Sequence, residues 1–358
     1  VRLCLIASCR YPVAEPFAGG LEAHTHALAS LLRARGHDVT LFAAPGSDPD
    51  LEAELLPVAP FASSDLARAD VAAPPEWWMQ EHHAYLDLML ALQREEGRFD
   101  VVHNNSLHHL PIAMAHVLDA PLVTTLHTPP LPWIESAVAL ARPGARFVAV
   151  SRAMAEQWSH CVEADVVHNG VDTDGWRDLG GGDRLVWSGR IVPEKAPHEA
   201  VLAARRAGLP LDLVGPVTDQ RYYDEQVAPL LDDGPRGARY VGHLSQHGLR
   251  ALVGRAAAAV VTPQWDEPFG LVAAEALSCG TPVVAYARGA LPEIVGPGCG
   301  VLVAPGDVDG LARGMVRARG LDRGAVRAVA VARFGAQAMV AGYEEVYADV
   351  RRRRLEAA

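Results

Sequence analysis

The chain has 358 residues, half of them apolar, and its 32 Lys and Arg against 43 Asp and Glu give a formal net charge of -11. That length accommodates two domains with cores of their own, and an acidic balance without a basic stripe or interleaved aromatics argues against wrapping a nucleic-acid backbone. Cys4, Cys9, Cys161, Cys279 and Cys299 are odd in number and lack any CxxC spacing, so they imply reduced thiols of a cytoplasmic protein and no disulfide framework.

The opening VRLCLIAS is too short an apolar run for a secretory core and reads as a first buried strand. Gly20 to Gly36 follows with Leu21, Leu28, Leu31 and Leu32 at helical spacing, and then DVTLFAA. Strand, helix, strand in that order predicts parallel pairing. FDVVH, PLVTTLH and RFVAVS continue the alternation until LGGGD, residues 179–183, marks a linker. Beyond it RLVWSG, LDLVG, RYVGH, AAVVTP, TPVVAYA and GVLVAP restart the same pattern. The fold class is therefore α/β, with two Rossmann-like doubly wound parallel-sheet domains over 1–171 and 172–335. Residues 336–358 carry one long helical pattern with no strand after it, read as a closing helix laid back on the first domain. The Arg351 to Arg354 run near its end reads as a solvated tail.

In open parallel sheets, ligands collect beyond the carboxyl ends of the strands. Here those ends are polar: VVHNNSLHH, TLHT, VHNGVD, SGR and TPQWDEPFG. Two such rims facing each other would enclose a cleft. His103 and the following Asn104, Asn105 and Ser106 are candidates to line an acceptor pocket, with plain turn capping as the other reading. The fifteen histidines include the neighbours His82-His83 and His108-His109, and adjacent side chains rarely converge on one ion, so no metal site is expected. Asp172-Thr173-Asp174 imitates the D-x-D of metal-dependent sugar transferases, but its place in a domain connection marks it as chance.

Neither G-x-G-x-x-G nor G-x-S-x-G occurs, and Glu194 before the chain's single lysine, Lys195, breaks a Walker A motif. The most informative stretch is DEPFGLVAAEALSCGTPVV, residues 266–284. Pro268 suits the first helical position, which leaves the N–H groups of Phe269, Gly270 and Leu271 free at a helix start as an anion cradle. Glu267 precedes that helix and Glu275 lies within it, about 12 Å further along the axis. The two carboxylates are too far apart to act on one carbon in the manner of a retaining glycosidase, whose pair is about 5 to 5.5 Å apart. They suit an extended ligand with an anionic middle and hydroxyl-rich ends, the shape of a nucleotide sugar. Read plainly, Glu275 is a helix-surface acid and Glu267 a favourable charge at the helix dipole. Arg190 and Lys195 add a planar guanidinium and a compact ammonium, which bind phosphate in complementary ways.

GRIVPEK followed by EPFGLVAAEALSCGTPVVA resembles the second domain of retaining glycosyltransferases of family GT4, which have the GT-B fold. AGG at 18–20, FDVVH, TLHT, AVSR, HNGVD and YVGHL extend the resemblance over nearly the whole chain. It implies an acceptor domain at 1–171 and a nucleotide-sugar donor domain at 172–335. Arg190 and Lys195 would hold the donor diphosphate beside Gly189, together with backbone at Phe269, Gly270 and Leu271. Glu275 would accept from the ribose, Glu267 would lie by the transferred sugar, and His127 would reach that sugar or its developing charge. Gly20 would bring backbone close to phosphate and acceptor, and His243 and Leu244 would meet the base. VHNGVD departs from the commoner apolar-Pro-Asn-Gly, and bulky Trp265 stands where small residues are usual, which makes it a candidate to shape donor or acceptor choice.

The implied activity is metal-independent hexosyl transfer with retention, needing no cofactor, from a nucleoside-diphosphate sugar; a UDP-sugar is favoured and GDP-mannose is the second donor. PEWWMQEHHAYLDLMLALQREEG is too acidic to seek anionic lipid, so the expected acceptor is a soluble small molecule such as a natural-product or metabolite precursor, with no stable membrane anchor. A sugar-nucleotide epimerase of the same fold and a catalytically silent nucleotide-sugar-binding protein are the rival readings.

Overall fold

The alternating apolar runs fold into two parallel sheets in the computed structural model, which describes residues 1–56, 61–141, 145–232 and 234–357. One unit gathers Val1–Val150, Ala155–Val167 and Val340–Ala358, and the other gathers Ser151–Met154 and His168–Met339.

The first unit's sheet comprises β1 (Arg2–Ile6), β2 (Asp38–Ala43), β3 (Glu54–Leu55), β4 (Val101–Asn104), β5 (Leu122–Leu126), β6 (Arg146–Ala149) and β7 (Ala164–Val166). Their spatial order is β3-β2-β1-β4-β5-β6-β7, and every pairing is parallel. Leu3, Cys4, Leu5 and Ile6 of β1 are fully buried, as expected for strands covered on both faces, which read as continuous apolar runs. The short β3 and the half-exposed β7 escape the sequence reading because neither forms such a run.

The second unit's sheet comprises β8 (Leu185–Ser188), β9 (Leu211–Val214), β10 (Ala238–Tyr240), β11 (Ala259–Val261), β12 (Val283–Tyr286) and β13 (Gly300–Val303), ordered β10-β9-β8-β11-β12-β13. Leu185, Trp187, Leu213, Val260, Tyr286 and Met315 anchor its core. In each sheet the order reverses beside the unit's first strand, at β1/β4 and at β8/β11. These are the switch points where open α/β sheets leave a crevice beyond the strand ends.

The C-terminal helical pattern becomes helix Ala336–Ala357, which belongs to the first unit from Val340 on. Its tyrosines are buried there: the Tyr347 hydroxyl lies 2.7 Å from His103 Nδ1, and that of Tyr343 lies 3.1 Å from Thr125 Oγ1. Glu344 takes Arg35 at 2.6 and 3.0 Å. The arginine run is less free than a solvated tail: Arg352 and Arg353 pair with Asp349 at 2.6 and 2.8 Å, and Arg354 pairs with Asp119 at 2.6 Å.

Candidate functional site

The strands β8 and β9 leave the second unit's sheet backbone against backbone. A Cβ on Gly215 would overlap the Gly189 carbonyl oxygen, and the φ angles of +154° at Gly189 and +137° at Gly215 admit glycine. The Gly215 N–H continues to the Gly242 carbonyl at 3.0 Å, which brings the turn holding exposed His243 and half-buried Leu244 to the same edge. Arg190 leaves β8 with an exposed guanidinium whose carboxylate neighbour, Glu194, is 3.6 Å away. A single 3-10 turn, Pro193–Lys195, then ends at Ala196 with φ 43° and ψ 52°. A left-handed non-glycine residue costs about 1–2 kcal/mol. The loop after β11 holds it there: the Thr262 hydroxyl lies 2.9 and 3.1 Å from the carbonyls of Lys195 and Ala196, and the Gln264 N–H donates to the Glu194 carbonyl at 2.8 Å.

That bracing fixes Lys195. Its Nζ lies 2.5 Å from Glu267 Oε2 and 5.1 Å from the Trp265 ring centre. Trp265 Nε1–H is buried and has no acceptor among the described residues. Helix Leu271–Ser278 begins beside this pair, after Gly270 at φ +89°, with no side-chain cap. Among the described residues no backbone carbonyl accepts from the N–H groups of Gly270, Leu271 or Val272, and amides at such a helix start attract anions. The Phe269 ring is buried between His168 and Phe334, both at 5.9 Å, so it offers its backbone alone.

Glu275, one turn into the helix, receives no hydrogen bond from a described side chain, and burial pushes its carboxyl up to about 7 against the opposing charge of Arg250. Arg250 itself pairs with Asp172 at 3.1 Å. The other Asp172 oxygen accepts from the N–H groups of Gly175 and Asp174 at 2.9 and 3.2 Å, so the D-x-D sequence forms a turn.

In the first unit, His127 at the end of β5 places Nε2 2.9 Å from Asn105 Oδ1 and its ring against His24, 4.9 Å between centres. Burial drives His127 well below the ordinary imidazole range and His24 to about 4. Both are neutral at pH 7. Gly20 is exposed at the start of helix Gly20–Ala34. His103 and Asn104 require a correction. His103 is fully buried, with Nδ1 on Tyr347 and Nε2 on Thr125, each at 2.7 Å, so it has no ring nitrogen left for an acceptor. Asn104 is also buried, and its Oδ1 takes the N–H and hydroxyl of Ser106 at 3.0 and 2.6 Å in a turn cap. The residue that faces His127 is the next one, Asn105, and the alternation of side chains along an extended chain is the signal that distinguishes it.

The histidine neighbours are not isolated pairs. His108 and His109 lie beside a third ring, His82, which arrives from a different element, helix Glu76–Arg94, and the ligand atoms of the three lie within 4.8 Å of one another. Adjacency in sequence could not reveal it.

Two Rossmann-like units of this topology define the GT-B class. Residues 18–175 match the model for Glycosyltransferase Family 4, and residues 180–318 match that for glycosyl transferases group 1. Glycogen synthase of Mycobacterium tuberculosis is 32% identical, over 86% of this chain and 84% of its own. D-inositol 3-phosphate glycosyltransferase of Frankia alni is also 32% identical, over 81% and 83%. The crystal structure of Anabaena Alr3699/HepE in complex with UDP-glucose superposes with a TM-score of 0.74 at 19% identity, covering 97% of this chain and 99% of that one, and shares the fold. The chain belongs to glycosyltransferase family 4. It is a glycosyltransferase that uses a nucleotide sugar.

Proposed function

We propose that the protein transfers a hexosyl group from a UDP-sugar to a hydroxyl of a soluble small-molecule acceptor, with retention at the anomeric carbon and without a metal ion. The observation that carries this reading is the Lys195 ammonium, held at 2.5 Å by Glu267 beside the uncapped start of helix Leu271–Ser278. As the bond from the anomeric carbon to the diphosphate breaks, negative charge collects on the leaving oxygen. Lys195, Arg190 and the amides of Gly270 and Leu271 are placed to stabilise it in advance, which is where an enzyme gains most. Glu267 takes a hydroxyl of the transferred sugar, Glu275 takes the ribose hydroxyls, and backbone at Gly189, His243 and Leu244 borders the base and phosphates. Neutral His127 suits a hydrogen bond to a sugar hydroxyl better than a charge–charge contact. In a same-face displacement the acceptor oxygen bonds to the anomeric carbon while its proton passes to the departing phosphate oxygen, so the diphosphate is both leaving group and base. The shared fold with a UDP-glucose complex supports uridine as the base.

One observation favours a second reading of the acceptor as a saccharide. Trp77, Trp78 and Trp133 of the first unit are 58%, 37% and 46% exposed, and flat aromatic faces stack on the apolar faces of sugar rings. Incubation with UDP-glucose, ADP-glucose or GDP-mannose, each against polyols, sugar phosphates and maltooligosaccharides in EDTA, decides among these readings. UDP release that depends on a small acceptor, with an α-linked product by NMR coupling, is expected. A β-linked product removes retention, chain extension of oligosaccharides selects the second reading, and no transfer from any donor removes the proposal.

A further inference from the structure

His82 lies on helix Glu76–Arg94, while His108 and His109 lie in the turn that enters helix Leu110–Ala113. One ligand nitrogen of each lies within 4.8 Å of those of the other two. We propose that His82, His108 and His109 form a binding site for a first-row transition-metal dication, zinc foremost.

Three features argue for a ligand rather than for simple packing. The rings are oriented by their surroundings: Trp78 stacks on His82 at 5.1 Å and 10°, Tyr85 stacks on His108 at 4.5 Å and 21°, and His108 stacks on His109 at 4.4 Å. Their hydrogen bonding is poor. His82 Nδ1 is buried without a partner among the described residues, and His108 Nδ1 receives the Leu110 N–H at a long 3.3 Å, which a metal ion readily displaces. Finally, the cation in the neighbourhood is already neutralised: Arg10 is clasped by Glu81 at 2.7 and 3.2 Å, so its charge does not oppose a dication.

The donor set selects the ion. Three imidazoles with no carboxylate suit zinc, copper, nickel or cobalt and not magnesium or calcium, and three protein ligands plus a water make the open tetrahedral zinc arrangement. Zinc–nitrogen bonds of about 2.0–2.1 Å set the nitrogens of a tetrahedral site about 3.4 Å apart, against separations of up to 4.8 Å here, so binding draws the three rings inward. Bound there, the ion ties helix Glu76–Arg94 to the turn after β4. The site is independent of the proposed diphosphate chemistry, which uses none of these residues.

The test is titration of the EDTA-treated, desalted full-length protein with zinc by calorimetry and with cobalt(II) by visible absorption. The expected result is one equivalent of either metal, with the cobalt ligand-field bands of a tetrahedral site. His82→Ala and His109→Ala, each checked for native circular dichroism, weaken binding by about 100-fold or more, whereas His116→Ala, an exposed histidine outside the cluster, leaves it unchanged. If an alanine variant misfolds, His82→Gln or His109→Gln preserves the side-chain volume and serves instead. No saturable binding, or binding that His82 and His109 substitutions leave intact, overturns the site, and equal loss with His116→Ala shows adventitious histidine chelation and overturns it too.

Discussion

Lys195 and Glu267 are 72 positions apart in sequence and 2.5 Å apart in space. Sequence motifs assigned one to phosphate and the other to sugar. The structure adds that the two are paired, so a diphosphate that takes Lys195 competes with a carboxylate for the ammonium. Lys195→Ala should therefore lower kcat about 100-fold, close to 3 kcal/mol of transition-state stabilisation, with little effect on acceptor KM. Lys195→Arg should not restore the rate, because a planar fork does not reproduce a compact charge 5.1 Å above Trp265. Wild-type turnover in Lys195→Ala would remove the residue from the mechanism. Glu275 gives a pH test whose sign can be worked out. Burial raises its carboxyl from 4.5 to about 7, so in that interval the folded protein holds a proton that the unfolded chain releases. The stability from this group is complete below the unfolded value and is lost as pH rises through about 7. Glu275→Gln should flatten the dependence of urea unfolding on pH in that window. Ribose hydroxyls donate to the ionised form, which draws the pKa down on binding. UDP-glucose, whose phosphates do not titrate here, should then bind wild type more tightly as pH rises through about 7, and Glu275→Gln should show no such rise. A flat wild-type binding profile would separate Glu275 from the ribose.

At the scale of elements, the start of helix Leu271–Ser278 joins local strain to recognition. At Gly270, φ +89°, a Cβ would lie 2.8 Å from Leu291 Cδ2, so the buried Leu291 side chain has to shift to admit a methyl group. Gly36 has nearly the same φ, +86°, with nothing within 4 Å, and so serves as its control. Gly36→Ala should cost about 1–2 kcal/mol in urea unfolding from the left-handed backbone alone and leave UDP-glucose affinity unchanged. Gly270→Ala should cost more and also weaken the nucleotide sugar, because displacing the cap re-aims the unpaired amides; equal effects of the two substitutions would deny the helix start a role in binding. A helix start near Pro268, Gly270 and the flanking carboxylates was legible in advance, since caps are local chemistry written in consecutive residues, but not its boundary: Pro268 is not the first helical residue, because the left-handed Gly270 caps the helix and it begins at Leu271. The strands of both sheets other than the edge strands β3 and β7 were legible for the same local reason, as runs such as RLCLI and PVVAY bury both faces. What escaped was not local: the Tyr347 and Thr125 contacts that consume His103, the bond that turns Asn105 to His127, and the meeting of His82 with His108 and His109 all depend on which elements tertiary packing brings side by side.

Over the whole molecule, each unit has its own parallel sheet, and the chain assigns the two proposed ligands to different ones: the diphosphate to strand ends of the second, the metal ion to a helix and turn of the first. The net charge of -11 makes both assignments local rather than global, because an overall anionic protein attracts a nucleotide diphosphate only where Lys195, Arg190 and free amides outweigh the surrounding carboxylates. Amide hydrogen exchange read by mass spectrometry separates the two events, since bound ligand suppresses the local openings through which amides exchange. Saturating UDP-glucose should give its strongest protection in peptides covering 188–199 and 265–275. Zinc should protect 76–94 and 104–113 instead, and the pattern for each ligand should persist when the other is present. Lys195→Ala should reduce the first pattern and spare the second, while His82→Ala should do the reverse. Nucleotide-sugar protection that avoids both 188–199 and 265–275 would place the donor away from the β8/β11 switch point, and the reading of Lys195, Glu267 and Glu275 as one donor site would fall with it.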